Sequence, residues 1–270
     1  MIRSSVLAIF VAVTATADPT SEALMEQGYS DMYNLRFISA HQAFTRYESM
    51  RPVDPLGPVS DAAACLFSEF DRLHILQSEF FTSDKKFLSA EKRQPDLATK
   101  IRFEDDLKKT EQLATLEMQH PDERAHAMFT EILRLGLHAD YLALIERHDF
   151  AALSEIKKAR ELAERLVSNN PNCYDAYIAI GVENYLLSRK PAPLRWILRA
   201  SGSETDKQVG VDKLRLTAEH GHYLLPYARL LLAIADLRDG DKSDASNLLS
   251  WLAEHYPRNN LYRAELEKLR

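Results

Sequence analysis

The sequence predicts an all-α protein, and three observations carry this prediction. The chain has 8 glycines in 270 residues, whereas average usage of about 7% would give more than twice as many, and the tight turns of barrels and sandwiches need glycine. Apolar side chains recur at intervals of three and four, as at Leu24, Met25, Tyr29, Met32 and Tyr33. No segment of useful length alternates apolar and polar residues. We therefore expect about eleven helices, arranged as antiparallel hairpins.

Short breaks rich in proline and asparagine separate the helical segments. Proline ends a helix because it lacks an N–H group and clashes with the preceding turn. The breaks lie at 51–58, 120–121, 169–172 and 255–259. Small polar residues near the start of the next segments are suited to cap a helix with their side-chain oxygens. The predicted N-cap residues are Asp61, Asp149, Asn172 and Asp241.

The spacing of small residues and prolines indicates an internal repeat. In the first unit Gly28, Ala40 and Pro52 follow one another at intervals of 12 residues. The last unit has the same two intervals, between Ala233, Ala245 and Pro257. These positions match the 34-residue tetratricopeptide pattern, in which small residues stand where two helices cross and proline ends the second helix. The chain therefore resembles a tetratricopeptide-repeat protein with enlarged central units.

More closely, the chain is similar to a group of exported bacterial repeat proteins with no assigned activity. The stretches that carry the resemblance include Gly28-Tyr29, Tyr33-Asn34-Leu35, Asn184-Tyr185 and Gly221-x-Tyr223. The resemblance implies a right-handed superhelical solenoid that binds a partner and has no known catalytic residues. The expected units are 20–52, 59–121, 122–171, 172–223 and 224–257, followed by a capping helix at 260–270.

Residues 1–17 have the pattern of a secretory signal peptide. Arg3 precedes a short apolar core at 6–13, and Ala15-Thr16-Ala17 is suited to cleavage by signal peptidase. An uncleaved anchor or a buried first helix is the alternative. We expect a mature chain of residues 18–270 that is periplasmic or secreted. In such a compartment Cys65 and Cys173 could pair, but two buried free thiols are the favoured interpretation.

Composition and motifs argue against several classes of function. With 34 basic and 40 acidic residues the net charge is -6, so a nucleic-acid-binding role is disfavoured, because it needs a basic surplus. The sequence contains no GxSxG, HExxH, P-loop or GxGxxG motif. It therefore predicts no enzyme, no metal site and no cofactor. The remaining enzymatic alternative requires a buried polar cluster, for which His138, His148 and Glu146 are the candidates.

Tyrosines provide the candidate binding residues. When Gly28, Gly136 and Gly181 are aligned as helix-crossing positions, a tyrosine follows each glycine by four or five residues. The first helix of each unit lines the concave face in this type of repeat, so these tyrosines predict a groove for an extended peptide or protein. Core positions are the alternative. The predicted groove residues are Tyr29, Tyr33, Tyr141 and Tyr185.

An amphipathic insert at 192–200 adds Trp196 to these candidates. We expect it to pack over the solenoid as a plug or lid, because a large apolar patch is rarely left exposed. Contact with a membrane surface is the alternative. The sequence as a whole predicts a non-catalytic, exported protein-interaction scaffold. The second candidate is a carrier of a small apolar ligand or lipid, in a cavity closed by the insertions and lined by these aromatic residues.

Overall fold

The computed structural model describes residues 20–75, 94–188 and 206–269. Within these residues it contains eleven α-helices and no strand, which confirms the all-α prediction. None of the described helices combines the length and apolar character that a membrane-spanning helix needs. The predicted signal peptide at 1–17 and the 192–200 insert with Trp196 lie outside the described residues.

The helices follow one another along the chain with short connections in most places. The first six are α1 Ser21–Tyr33, α2 Phe37–Met50, α3 Leu56–Arg72, α4 Leu97–Glu117, α5 Arg124–Asp140 and α6 Asp149–Asn169. The other five are α7 Tyr177–Ser188, α8 Lys207–His220, α9 Leu225–Asp239, α10 Lys242–His255 and α11 Asn260–Leu269. A π-helical turn, Tyr141–Glu146, extends α5, and a short 3₁₀ turn, Tyr174–Ala176, precedes α7.

Each helix packs mainly against the helices before and after it in the sequence. Two described helices lie in each of the intervals 20–52, 122–171, 172–223 and 224–257, whereas α3 begins before residue 59. Helix α11 lies within 260–270. Two glycines explain the local geometry. A Cβ on Gly28 would lie 2.2 Å from the ring of Phe44, so α1 and α2 can cross this closely only at a glycine. Gly240 ends α9 with a φ of 85°, as expected for a left-handed C-cap.

The start of α3 differs from the prediction. The helix begins at Leu56, within the segment that the prolines mark as a break. Pro58 lies in the first turn, where its missing N–H group costs nothing because that group has no partner inside the helix. Asp61 is therefore not an N-cap but a buried residue inside α3. Asp241, by contrast, caps α10 as expected, because its carboxylate accepts a hydrogen bond from the backbone of Asp244.

Contacts between distant parts of the chain close the array. The hydroxyl of Tyr33 in α1 donates to the backbone carbonyl of Tyr223, just before α9. The side chain of the buried Asn259 donates to the backbone carbonyl of Tyr33. Phe67 of α3 packs edge-on against Tyr227 of α9, with ring centroids 5.4 Å apart. The first helices thus enclose a core together with the last ones.

The loop between α8 and α9 is shaped by one buried carboxylate. Asp175 accepts hydrogen bonds from the backbone N–H groups of His222, Tyr223 and Leu224, at 2.9, 2.9 and 3.1 Å. Gly221 is required beside it, since a Cβ there would lie 2.5 Å from the Asp175 carboxylate. Burial nevertheless raises the pKa of Asp175, because desolvation outweighs the three donors. This loop is the one that receives the hydroxyl of Tyr33.

Candidate functional site

The four described tyrosines of the predicted groove are buried. Their exposed fractions are 5% for Tyr29, 3% for Tyr33, 3% for Tyr141 and 6% for Tyr185. Tyr29 and Tyr33 lie together, with ring centroids 6.5 Å apart, and Tyr29 also stacks on Tyr223 at 4.6 Å. These side chains occupy core positions, which was the alternative interpretation, and they do not line an open surface.

The structure does not bring all four tyrosines together. Tyr141 stacks on Phe103 of α4 at 4.9 Å, and the backbone of Tyr185 lies against Gly210 of α8. The alignment on Gly136 as a crossing position is wrong. A Cβ on Gly136 would meet no atom within 4 Å, so no other helix approaches closely there.

The histidines of the enzymatic alternative also belong to separate groups. His148 lies 3.3 Å from Glu146, whose carboxylate is held by Lys100 of α4 at 2.6 Å. His138 instead faces Glu155 of α6 at 3.6 Å. These contacts involve partly exposed side chains at two separate places, and they do not assemble a single buried acid–base centre.

A different polar cluster lies between α2, α3 and α4, and Asp61 is at its centre. The Asp61 side chain is only 3% exposed. One carboxylate oxygen, Oδ1, lies 2.6 Å from Nδ1 of His41. The other, Oδ2, accepts a hydrogen bond from Nε of Arg102 at 2.6 Å, and Nη2 of Arg102 lies 2.6 Å from the same oxygen. Arg102 and His41 therefore hold the two oxygens of the carboxylate from opposite neighbours, each through a separate contact.

A second carboxyl group touches the first. Asp106, one turn after Arg102 on α4, lies within hydrogen-bonding distance of Asp61. Two carboxyl groups can form a hydrogen bond only if one of them carries a proton. Burial, together with the charge of Asp61, raises the pKa of Asp106 to about 8. Burial acts in the same direction on Asp61, but His41 and Arg102 outweigh it and lower the pKa of Asp61.

Cys65 completes the cluster. It lies one turn after Asp61 on the same face of α3 and is buried. Donor atoms of His41, Asp61 and Cys65 all lie within 4.8 Å of one another. Burial, together with the charge of Asp61, raises the pKa of the Cys65 thiol. A protonated, buried thiol is a poor nucleophile, so the arrangement does not favour covalent catalysis by Cys65. Both Cys65 and Cys173 are free thiols.

The sequence contained a signal for this cluster that the prediction did not use. Asp61 and Cys65 stand four residues apart, as do Arg102 and Asp106. Each pair puts two polar groups on one face of a helix. The break predicted at 51–58 puts Asp61 near a helix start, where capping explains an aspartate, and the prediction therefore does not connect Asp61 with Cys65. His41 lies on another helix, and no spacing rule connects it to Asp61.

The same region carries most of the exposed large apolar side chains of the described chain. Helices α2 and α4 run parallel, because His41 and Arg102 meet at Asp61 and, seven residues further along each helix, Glu48 pairs with Lys109. Six of the nine large apolar residues that are exposed lie on these helices or in the loop after α2, and we call this surface the α2–α4 face. They are Ile38, Met50, Val53, Leu97, Ile101 and Leu116.

The α2–α4 face has a regular layout. Ile38, Leu97 and Ile101 lie at the end where both helices begin. The other three apolar residues lie at the opposite end, where His126 contacts Glu117 of α4 at 2.9 Å and Asp54 of the loop at 3.6 Å. The charged cluster separates the two ends.

Comparison of the chain with protein-family models, with curated protein sequences and with solved structures found no match.

Proposed function

We propose that this protein is a non-catalytic scaffold of the tetratricopeptide type, a right-handed superhelical solenoid that binds a protein partner outside the cytoplasm. The observation that carries the proposal is the α2–α4 face. Exposed apolar side chains that are concentrated on one surface are typical of interaction sites. Charged groups between the two apolar ends, among them Arg102 and Lys109, supply the polar contacts that fix the register of a partner.

The site of binding in this proposal differs from the predicted groove. Tyr29 and Tyr33 are packed against Tyr223 and Tyr256, so the core of the array is filled by its own aromatic side chains. A partner would have to unfold the chain to reach them. The outer surface of α2 and α4 needs no rearrangement to make contact.

The aromatic packing also favours the scaffold over the carrier. A carrier of a lipid or small apolar ligand needs a cavity of several hundred Å³ lined by apolar side chains. Two of the candidate tyrosines, Tyr29 and Tyr33, contact each other and also Tyr223 and Tyr256, with centroid separations of 4.6 to 6.5 Å. Apolar surface is instead available on the outside of the molecule.

Site-specific photocrosslinking tests the proposal. A photoreactive phenylalanine analogue at Ile38 or Ile101, exposed in a periplasmic extract, should give one discrete crosslinked product, and mass spectrometry would identify the partner. Val209 on α8 is the matched control, because it is an exposed apolar residue outside the α2–α4 face. Crosslinks of equal yield at all three positions, or none at any, would contradict the proposal.

The identified partner then permits a quantitative test. Ile101→Ser removes an apolar contact that is worth about 1–2 kcal/mol at a well-packed interface, so affinity should fall roughly five- to thirty-fold. Val209→Ser should leave the affinity unchanged. Both side chains are exposed, so both variants should melt like the wild type, and a loss of binding cannot be attributed to unfolding.

A further inference from the structure

We propose that His41, Asp61 and Cys65 form a binding site for one zinc ion, at the junction of α2 and α3. The inference is separate from the scaffold function. It rests on the set of donor atoms, on their separations and on one buried oxygen atom of Asp106.

The three donor atoms are already close to the separations that zinc requires. Zinc binds cysteine sulfur at about 2.3 Å and histidine nitrogen or carboxylate oxygen at about 2.0–2.2 Å, so tetrahedral ligand atoms stand about 3.5 Å apart. The donors of His41, Asp61 and Cys65 lie within 4.8 Å of one another. The donors of His41 and Asp61, 2.6 Å apart, must separate and the widest pair must approach, and we expect rotations of the side chains to provide both movements.

The chemistry of the donors selects the class of metal. A thiolate, an imidazole and a carboxylate together suit zinc and neighbouring late transition metals. Magnesium and calcium take oxygen ligands, and neither favours the sulfur of Cys65 or the nitrogen of His41. The spacing along α3 allows Asp61 and Cys65 to bind the same ion, because they are one turn apart and both face His41.

The surroundings provide the outer contacts that metal sites use. Arg102 binds Oδ2 of Asp61 and leaves Oδ1, the atom beside His41, to face the ion. Hydrogen bonds of this kind to a ligating carboxylate orient it and raise metal affinity. On binding, the His41 ring nitrogen exchanges its contact with Asp61 Oδ1 for one with the ion.

An independent observation is the environment of Asp106. Its Oδ2 atom is buried, and in the described part of the chain no N–H or hydroxyl group donates a hydrogen bond to it. The nearest cation, Nε of Arg102, is 4.0 Å away. A buried carboxyl oxygen that receives no hydrogen bond is costly, and an ion bound beside Asp61 would satisfy it once the Asp106 carboxyl group has released its proton. Asp106 is therefore our candidate for the fourth ligand.

Charge balance fits a divalent ion. Binding releases the protons of the Cys65 thiol and of the Asp106 carboxyl group to solvent, so the thiolate and the carboxylate of Asp61 together neutralise the two charges of zinc. The remaining charges, on Arg102 and Asp106, neutralise each other. The cluster then contains no net charge, which is the condition for burying charged groups at acceptable cost.

Titration with cobalt, a spectroscopic substitute for zinc, tests the site. The protein is used without a histidine tag, and Co²⁺ is added under reducing conditions. We expect one ion per chain, a thiolate-to-cobalt charge-transfer band, and displacement of the cobalt by zinc. The band should be absent in Cys65→Ser and present in Cys173→Ser, which removes the other free thiol. His41→Gln should weaken binding at least tenfold, the range seen when ligand shells are disturbed.

A second variant and a second measurement guard against loss of folding. His41 is partly exposed, so His41→Gln tests the site even if substitutions at buried Cys65 prevent folding. The melting temperature of the wild type should rise with zinc concentration, and that of His41→Gln should not. The proposal is overturned if the wild type gives no charge-transfer band and no zinc-dependent melting, or if the band depends on Cys173 rather than Cys65.

Discussion

The phenolic hydroxyl of Tyr33 donates a hydrogen bond to the backbone carbonyl of Tyr223, although 190 residues separate them in the sequence. The backbone carbonyl of Tyr33 accepts a second long-range bond, from the side chain of Asn259 at 3.0 Å. A third joins the backbone of Arg258 to the side chain of Asn34 at 3.2 Å. The end of α1 is thus bonded to the segment before α9 and to the segment before α11. The stability of the N-terminal helices therefore depends on that of the C-terminal helices, and the reverse.

Asn259→Ala tests this dependence. The Asn259 side chain is buried, donates to the carbonyl of Tyr33 and accepts a hydrogen bond from the backbone of Leu261 at the start of α11. Its removal leaves a buried carbonyl without a donor and costs about 1–3 kcal/mol in the free energy of unfolding. Urea denaturation measures the loss. Asn169→Ala, at the exposed end of α6, should cost much less, and equal losses in the two variants would contradict the prediction.

Substitution by alanine should have opposite effects on stability at Gly136 and at Gly210. Gly136 lies inside α5, and a Cβ at this position would meet no atom within 4 Å, so Gly136→Ala should raise the free energy of unfolding by about 0.5–1 kcal/mol through helix propensity. A Cβ on Gly210 would lie 2.6 Å from the backbone nitrogen of Tyr185. Gly210→Ala must therefore push α7 and α8 apart, and it should cost about 1–3 kcal/mol.

Thermal melting of the two glycine variants provides the measurement. Gly136→Ala should melt a few degrees above the wild type and Gly210→Ala below it. A rise in both variants would mean that α7 and α8 can separate at no cost. A lower melting temperature in both variants would mean that a methyl group at position 136 clashes with a neighbouring group.

Local features of the fold could be predicted from the sequence. The close approach of Gly28 to Phe44, the C-cap at Gly240 and the final helix from Asn260 all depend on residues within about one repeat of each other. Spacing of small residues and caps encodes such features directly. The all-α class follows from the same periodicity.

The contacts that define the sites are of a different kind. His41 reaches Asp61 from a neighbouring helix, and Arg102 reaches it from a third. Periodicity states which face of a helix is polar, but not which other helix that face meets. The burial of Tyr33 has the same origin, because its partners Tyr223 and Tyr256 belong to the other end of the chain.

The buried tyrosines lead to a third prediction. Tyr33→Ala, Tyr141→Ala and Tyr185→Ala should each lower the free energy of unfolding by about 3–5 kcal/mol, because each removes a large side chain from the interior. Urea denaturation measures the three losses. Tyr174 is partly exposed, so Tyr174→Ala is the control and should lose clearly less. If the three variants kept wild-type stability but bound the partner more weakly, these tyrosines would belong to the binding surface and not to the core.

The last prediction concerns pH and the carboxyl group of Asp140. Asp140 ends α5 and accepts a hydrogen bond from the hydroxyl of Tyr227 at 2.9 Å. Burial raises its pKa from 3.8 to about 6, against the smaller effect of that hydrogen bond. Between about pH 4 and pH 6 the folded protein therefore holds a proton that the unfolded chain has released. The free energy of unfolding should fall as pH rises through this window, by at most about 3 kcal/mol from this group, and the loss should persist above it.

Asp140→Asn isolates this contribution, because an amide keeps the acceptor for Tyr227 and does not titrate. Other buried carboxyl groups titrate equally in both proteins, so the difference in unfolding free energy between variant and wild type reports Asp140 alone. That difference should shift in favour of the variant between pH 4 and pH 7. Urea denaturation at both pH values measures it, with Asp212→Asn on the exposed face of α8 as the control. A difference that is independent of pH in Asp140→Asn would mean that water reaches the carboxyl group and keeps its pKa near the ordinary value.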